Sequence, residues 1–267
     1  MSAPVSTAAA SADARPAEGS LYVVRGLEKA YAGRPVLAGV DFEVRRGECL
    51  VVLGRSGTGK SVLLRLLDGL EPPDAGSVVF DGLEVSALGE AELAPVRRRV
   101  AMLFQSGALF DSMSVFDNVA FPLREHTQQD WRQVAATVRA KLELVRLKGA
   151  EGKLPSELSG GMRKRAALAR SLALDPEAVL FDEPTTGLDP MTSATIAQLI
   201  LDIQRELRTT SVVVTHDIAL AKRVADRLAF IDGGRFRFLG TWEEAESSPD
   251  ELLGDFLAGR EEAEDGA

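Results

Sequence analysis

The chain has 267 residues, 45% hydrophobic and 27% charged, which suits one large α/β domain, or one domain plus a small appendage, and excludes global disorder. No window approaches about 18 consecutive apolar residues, so it does not span a membrane by itself; a single cysteine, Cys49, excludes an internal disulfide framework, points to a reducing compartment and, with only His126 and His216 beside it, leaves too few ligands for a structural zinc cage. Residues 243–267 hold ten acids and one base and so carry the whole net charge of −9, which leaves the main body without the overall basic field that a primary nucleic-acid role needs.

Residues 1–20 are rich in Ala, Ser and Pro and lack a basic stretch before an apolar one, so the reading is a disordered leader and not a signal peptide. Seven β-rich runs follow: 21–24, 48–53, 77–80, 100–105, 178–182, 211–215 and 227–231. Several are apolar throughout, which predicts burial on both faces by helices. Asp81-Gly82 and Asp232-Gly233-Gly234 are hairpin turn signals. Trp131, Val134, Ala135, Val138, Leu142 and Val145 recur at helical spacing and predict an amphipathic helix. A mainly helical insert is expected at roughly 106–170, inside a body spanning 21–240, followed by an acidic tail at 241–267.

Three stretches carry chemistry. Gly54-Arg55-Ser56-Gly57-Thr58-Gly59-Lys60-Ser61 fits G-x-x-x-x-G-K-[ST], between an apolar strand and a helix-like run that starts at Val62. A phosphate needs many N–H donors close together, hence a loop poor in Cβ atoms and a helix N-terminus aimed at the anion. Lys60 supplies a point charge to the β- and γ-phosphates, and Ser61 a hydroxyl to Mg²⁺. The apolar run 178–181 delivers Asp182 and Glu183 to a strand's C-terminal end, where Asp182 can reach Mg²⁺ and Glu183 can orient or deprotonate a water. Leu158-Ser159-Gly160-Gly161-Met162 opens a helix 20 residues before Asp182 and offers a second anion site, with Ser159 as cap and two glycines exposing N–H groups. One nucleotide does not require two such sites on one chain; two copies placed head to tail would use both.

This set resembles the ATP-binding cassette (ABC) transporter ATPases, over nearly all of residues 21–240. Six motifs stand in the family's order: the phosphate loop, Gln105 after VAMLF, LSGGM, LFDEP, Gly187-Leu188-Asp189, and His216 after SVVVT. The resemblance implies an α/β P-loop cassette with a RecA-like core, an antiparallel β subdomain and a helical subdomain. It also implies a homodimer that sandwiches two ATP molecules with Mg²⁺, held by Ser61, Gln105 and Asp182. Tyr31 matches the aromatic that stacks on adenine, with a core aromatic as the bland alternative. Gly54 to Val62 form the ATP loop. Glu183, His216 and Gln105 match the hydrolytic residues. Ser159, Gly160, Gly161 and Met162 match the corner that meets the partner's γ-phosphate, and Asp189 the aspartate linking the two sites. Met162 departs from the glutamine of many members and reads as a subgroup mark. Arg163-Lys164-Arg165 reads as a phosphate-attracting run or a solvated helix face.

The wording of 104–126 and of the stretch from Leu158 to Pro176 looks most like the ATPase of MCE-type (Mla-like) phospholipid transport systems. That implies a peripheral subunit on the cytoplasmic face of a bacterial inner membrane, working with permease subunits, an MCE lipid-binding protein and a STAS-domain subunit, without nucleic acid. A polar amino-acid importer ATPase and a non-transport ABC ATPase are the alternatives. Of Leu109, Phe110, Met113, Val115, Phe116 and Phe121, some enter the core and the rest form a docking patch for a partner's cytoplasmic helix, or all of them serve the core. Trp242, Leu252, Leu253, Phe256 and Leu257 predict one apolar helical face in the tail, packed on a neighbouring subunit or on the chain's own domain.

Overall fold

The structure, a computed structural model, describes residues 19–260. The leader expected at 1–20 therefore lies almost wholly outside the described residues, as does the end of the acidic tail. In chain order the elements are β1 (Ser20–Tyr31), β2 (Arg34–Arg45), β3 (Cys49–Leu53), α1 (Lys60–Leu67), β4 (Ala75–Phe80), β5 (Leu83–Glu84), α2 (Glu90–Arg99) and β6 (Val100–Leu103). Three helices follow without an intervening strand: α3 (Val115–His126), α4 (Trp131–Leu144) and α5 (Gly160–Ser171). The chain then alternates through β7 (Ala178–Asp182), α6 (Pro190–Leu207), β8 (Thr210–Thr215), α7 (Ile218–Val224), β9 (Arg227–Asp232) and β10 (Arg235–Gly240), and ends in α8 (Trp242–Glu246) and α9 (Glu251–Leu257).

The central sheet runs β10-β9-β3-β8-β7-β6, parallel except for the hairpin partner β10. Strand periodicity sorts its side chains into two cores. On β3, Cys49, Val51 and Leu53 enter one and Leu50 and Val52 the other; on β7, Val179 and Phe181 part from Ala178 and Leu180 in the same way. The first core is covered by α3 to α7. The second is covered by α1, α2 and a four-stranded antiparallel sheet, β2-β1-β4-β5. Burial on both faces is what the unbroken apolar runs predict.

All seven strand runs become strands, and both turn signals become hairpins. Strands β2, β5 and β10 were not among them. The helix expected from Trp131 onward is α4, but Trp131 itself is 63% exposed: it opens the helix beyond the core edge and stacks on Phe116, ring centroids 5.4 Å apart. In the tail the single apolar face is instead two short helices. Their anchors go to this chain's own core: Leu253 is fully buried, Phe256 lies 5.1 Å from Phe230, and Trp242, Leu252 and Leu257 pack alongside.

Candidate nucleotide site

Parallel pairing brings the motifs together. Leu53 pairs with Thr215 and Asp182 with Val214, so β3, β8 and β7 end at one level. The phosphate loop, His216 and Glu183 leave from adjacent strand ends, where open α/β sheets place ligands. Gln105 follows two residues past the end of β6, the next strand over. A cleft of about 430 Å³ opens there, lined by Tyr31, Val36, Ser56, Gly57, Gly59, Lys60, Ser61, Val62, Gln105, Glu183, Thr186 and His216. Tyr31 and Val36 come from the β1–β2 hairpin, which lies across the loop. Gly59 has a φ of +95°, and a Cβ there would stand 2.9 Å from Val36 Cγ1, so only glycine lets the hairpin approach.

Lys60 is buried and donates to the carbonyls of Gly54 (2.8 Å) and Arg55 (2.9 Å), with Glu183 Oε1 3.4 Å from its ammonium. Burial lowers its pKa; Glu183 and Asp182 oppose that shift without cancelling it. Ser61 donates to Asp182 Oδ1 at 2.7 Å, and burial raises the Asp182 carboxyl in spite of that bond.

Glu183 sits in left-handed backbone, φ +47°, which a non-glycine side chain rarely adopts. Its N–H donates to Val214 O at 3.0 Å. Its Oε2 meets His216 Nδ1 at 2.9 Å and the hydroxyls of Thr215 and Thr186, each at 3.2 Å. Burial pushes this carboxyl up; the His216 bond, the Lys60 charge and Thr186 outweigh it and leave the group below the usual glutamate range. Glu183 is thus an ionised, tightly oriented proton acceptor at neutral pH. Tyr31 is 40% exposed beside the cleft, its hydroxyl bonded to Glu71, so the core-aromatic alternative does not hold.

Ser159, Gly160, Gly161 and Met162 are absent from the lining of this cleft. Ser159 caps α5, accepting from Met162 N–H at 3.3 Å, and it and Gly160 are exposed. The second glycine of this corner also has a packing role that the motif alone does not show. Gly161 is buried, and a Cβ there would fall 2.3 Å from Thr192 Cγ2, so its small size is a requirement of α5–α6 packing. Asp189 caps α6 through Met191 and Thr192 N–H, both at 3.0 Å, and Thr192 Oγ1 at 2.6 Å. Lys164, read as part of a charged run, is buried and bonded to three backbone carbonyls.

A family profile described as "ABC transporter" matches residues 37–186, more than half of the chain. The Escherichia coli K12 protein named "Intermembrane phospholipid transport system ATP-binding protein MlaF" is 42% identical over 240 residues, covering 90% of this chain and 89% of that one. This chain belongs to the ABC transporter ATPase family. The mycobacterial proteins named "Probable ribonucleotide transport ATP-binding protein mkl" are also similar. That of Mycobacterium leprae is 42% identical over 95% of this chain and 73% of its own length, and that of Mycobacterium tuberculosis H37Rv 44% over 89% of this chain and 66% of its own. Among solved structures, a dimeric post-hydrolysis state of the ATP-binding cassette MJ0796 bound to ADP and Pi has a TM-score of 0.77 at 29% identity, over 82% of this chain and 98% of that one. The cbiO1 cassette of Clostridium perfringens has a TM-score of 0.80 at 28%, over 90% and 96%. The chain is accordingly an ATPase, and its α/β cassette fold is that of the family.

This ABC ATPase has a second cavity, about 470 Å³, between α2 and β6 on one side and α3 and α5 on the other. Phe104, Phe121, Met102 and Leu70 give it an apolar floor, and Arg98 and Arg170 line it. The Arg170 guanidinium lies 4.3 Å from the Phe110 ring centroid and donates to Ala108 O at 2.6 Å. The apolar residues of 104–126 divide: Val115 enters the core, Leu109 and Phe116 pack on it, and Phe110 and Phe121 meet edge to face at the rim, ring centroids 5.1 Å apart. Asn118, absent from the sequence reading, organises this loop. Fully buried, it accepts from Phe110 N–H and donates to the carbonyls of Phe110, Met113 and Ser114. No helix among the described residues is long and apolar enough to cross a membrane.

Proposed function

We propose that this ATPase is the motor subunit of a bacterial phospholipid transporter, acting as a homodimer on permease subunits. What carries the hydrolytic part is the Glu183 network beside the phosphate loop. Glu183 is ionised and its Oε2 is fixed by His216, Thr215 and Thr186, so the carboxylate is aimed before substrate arrives. Lys60 and the loop's N–H groups take the phosphates, and Tyr31 stacks on adenine. A water near the γ-phosphate gives its proton to Glu183 as it attacks.

Ser61 and Asp182, with Gln105 beside them, fit Mg²⁺. They are hard oxygen donors with one carboxylate, and that carboxylate's raised pKa marks a charge still short of a partner. Among the described residues no cluster of three His, Cys, Asp or Glu could hold a metal alone, so the ion's remaining ligands would be phosphate and water. When bound, Mg²⁺ neutralises charge on the phosphates.

Dimerisation is supported by the separation of Ser159–Met162 from the chain's own cleft, by the neighbouring Met191, 84% exposed, and by the dimeric state of MJ0796. In that arrangement each corner meets the partner's nucleotide, and Asp189 lies between the two sites. The 470 Å³ groove is suited to a permease's cytoplasmic helix and supports a peripheral position on the cytoplasmic face of the inner membrane. An MCE protein and a STAS-domain subunit complete the proposed assembly.

Phospholipid is favoured as cargo because the likeness to MlaF runs over 89% of that protein. The name of the mycobacterial relatives supports a second reading, ribonucleotide cargo, over a smaller share of their length. Purifying the assembled complex and identifying its bound small molecules by mass spectrometry decides between them: phospholipid is expected, and bound ribonucleotide without lipid would reverse the assignment.

A further inference from the structure

Lys164 stands outside the cleft lining, is 8% exposed, and spends its ammonium on main-chain carbonyls: Glu183 at 3.1 Å, Pro184 at 2.9 Å and Thr186 at 3.0 Å. An ammonium has three N–H donors, so the set is saturated. Among the described residues no carboxylate forms an ion pair with it. The charges of Glu183 and Asp182 act on it from beyond ion-pair distance and only partly offset its burial, so the ammonium is held here chiefly by the three carbonyls. The turn that supplies them is not ordinary. It carries Glu183 in left-handed backbone, with its N–H tied to Val214 and its carbonyl tied to Lys164. The peptide groups on both sides of the residue are therefore anchored, and its carboxylate is held separately by His216, Thr215 and Thr186.

We propose that Lys164 is a positioning residue for ATP hydrolysis, holding the Glu183–Thr186 main chain so that the carboxylate stays aimed at the attacking water. The proposal rests on the reading of Glu183 as the general base. Lys164 also lies five residues after Ser159 on α5, about 7.5 Å along the helix axis. Rigid movement of the Ser159–Met162 corner thus reaches the turn of the chain's other, own site through one side chain. Because Lys164 does not line the cleft, its loss acts on turnover and not on nucleotide capture.

The test uses the full-length protein in its assembled complex, with kcat and KM for ATP, fluorescent-nucleotide affinity and melting temperature measured for Lys164→Met and Lys164→Arg. Lys164→Met is expected to lower kcat at least about tenfold, since misplacement by about 1 Å costs on the order of a hundredfold, with affinity within about twofold of the parent. Lys164→Arg is expected to restore most of the turnover, because a guanidinium keeps several donors. Undiminished kcat in Lys164→Met, or parallel loss of kcat and affinity, overturns the proposal. Should Lys164→Met not fold, Lys164→Gln keeps two donors and is expected to give intermediate kcat at unchanged affinity; parental kcat there overturns it equally. Glu183→Gln runs alongside. If that variant turns over normally the general-base reading itself falls, whereas if it is inactive and Lys164→Met is not, only the role of Lys164 falls.

Discussion

Two acids in this molecule, Glu183 after β7 and Asp68 at the end of α1, both expose little surface to water, Asp68 lying the deeper, and their pKa values shift in opposite directions. Glu183 has an imidazole, two hydroxyls and a nearby ammonium, and lies below the usual glutamate range. Asp68 has one carboxyl oxygen, Oδ1, without a hydrogen-bond partner, and burial lifts it to about 7 against a smaller opposing pull from Arg97. Burial alone therefore does not set ionisation here; the donors that the fold delivers do. Donors converge on Glu183 because three parallel strands end together, whereas a helix C-terminus delivers none to Asp68.

The contrast can be broken at its catalytic end first. Glu183→Gln keeps the shape and removes the base, and kcat should fall at least about a hundredfold while ATP still binds, measured by steady-state hydrolysis beside nucleotide binding. Next comes Lys60→Ala, which removes the charge meant for the phosphates; ATP affinity should weaken by roughly ten- to a hundredfold, read by titration. His216→Ala strips Glu183 of its closest donor. The Glu183 pKa should rise, so the acidic limb of the kcat/KM profile should move to higher pH, with turnover down by roughly tenfold; an unmoved limb would separate His216 from the ionisation of Glu183.

The smallest effect sharpens the other side. Asp68 folded holds its proton up to about pH 7, whereas unfolded it loses it near the ordinary aspartate value. The folded state then binds more protons between those limits, so stability falls as pH rises through that window and levels off above it. Asp68→Asn should flatten the decline and raise the melting temperature at pH 8, with a ceiling of roughly 4 kcal/mol. Equal melting curves for both proteins from pH 4 to 8 would mean that Asp68 has a partner after all.

Much of the fold was legible because runs such as β7, apolar up to a terminal acid and too short for a helix, read as strands buried on both faces. Strand β2 escaped detection: Pro35 and Gly39 interrupt it, and its pairing with β1 shifts register several times, which blurs the period of two. The motifs of the site were legible because each is local, a glycine loop or a strand end. What tertiary contact decides was not. A lysine between two arginines on a helix reads as solvated, and nothing local reveals that three carbonyls lie under Lys164. Likewise nothing local reveals that the second glycine of the Ser-Gly-Gly corner packs directly against Thr192. In the tail the anchors were legible and their destination was not.

The chain's sole thiol, Cys49, opens β3 with no exposed surface, and burial pushes its pKa far above the ordinary cysteine value. Maleimide dyes and spin labels should therefore pass over the natural protein. A cysteine introduced at the exposed Met191 would be the single reactive handle, and distances between two such labels could follow protomers meeting and parting without first engineering a cysteine-free background.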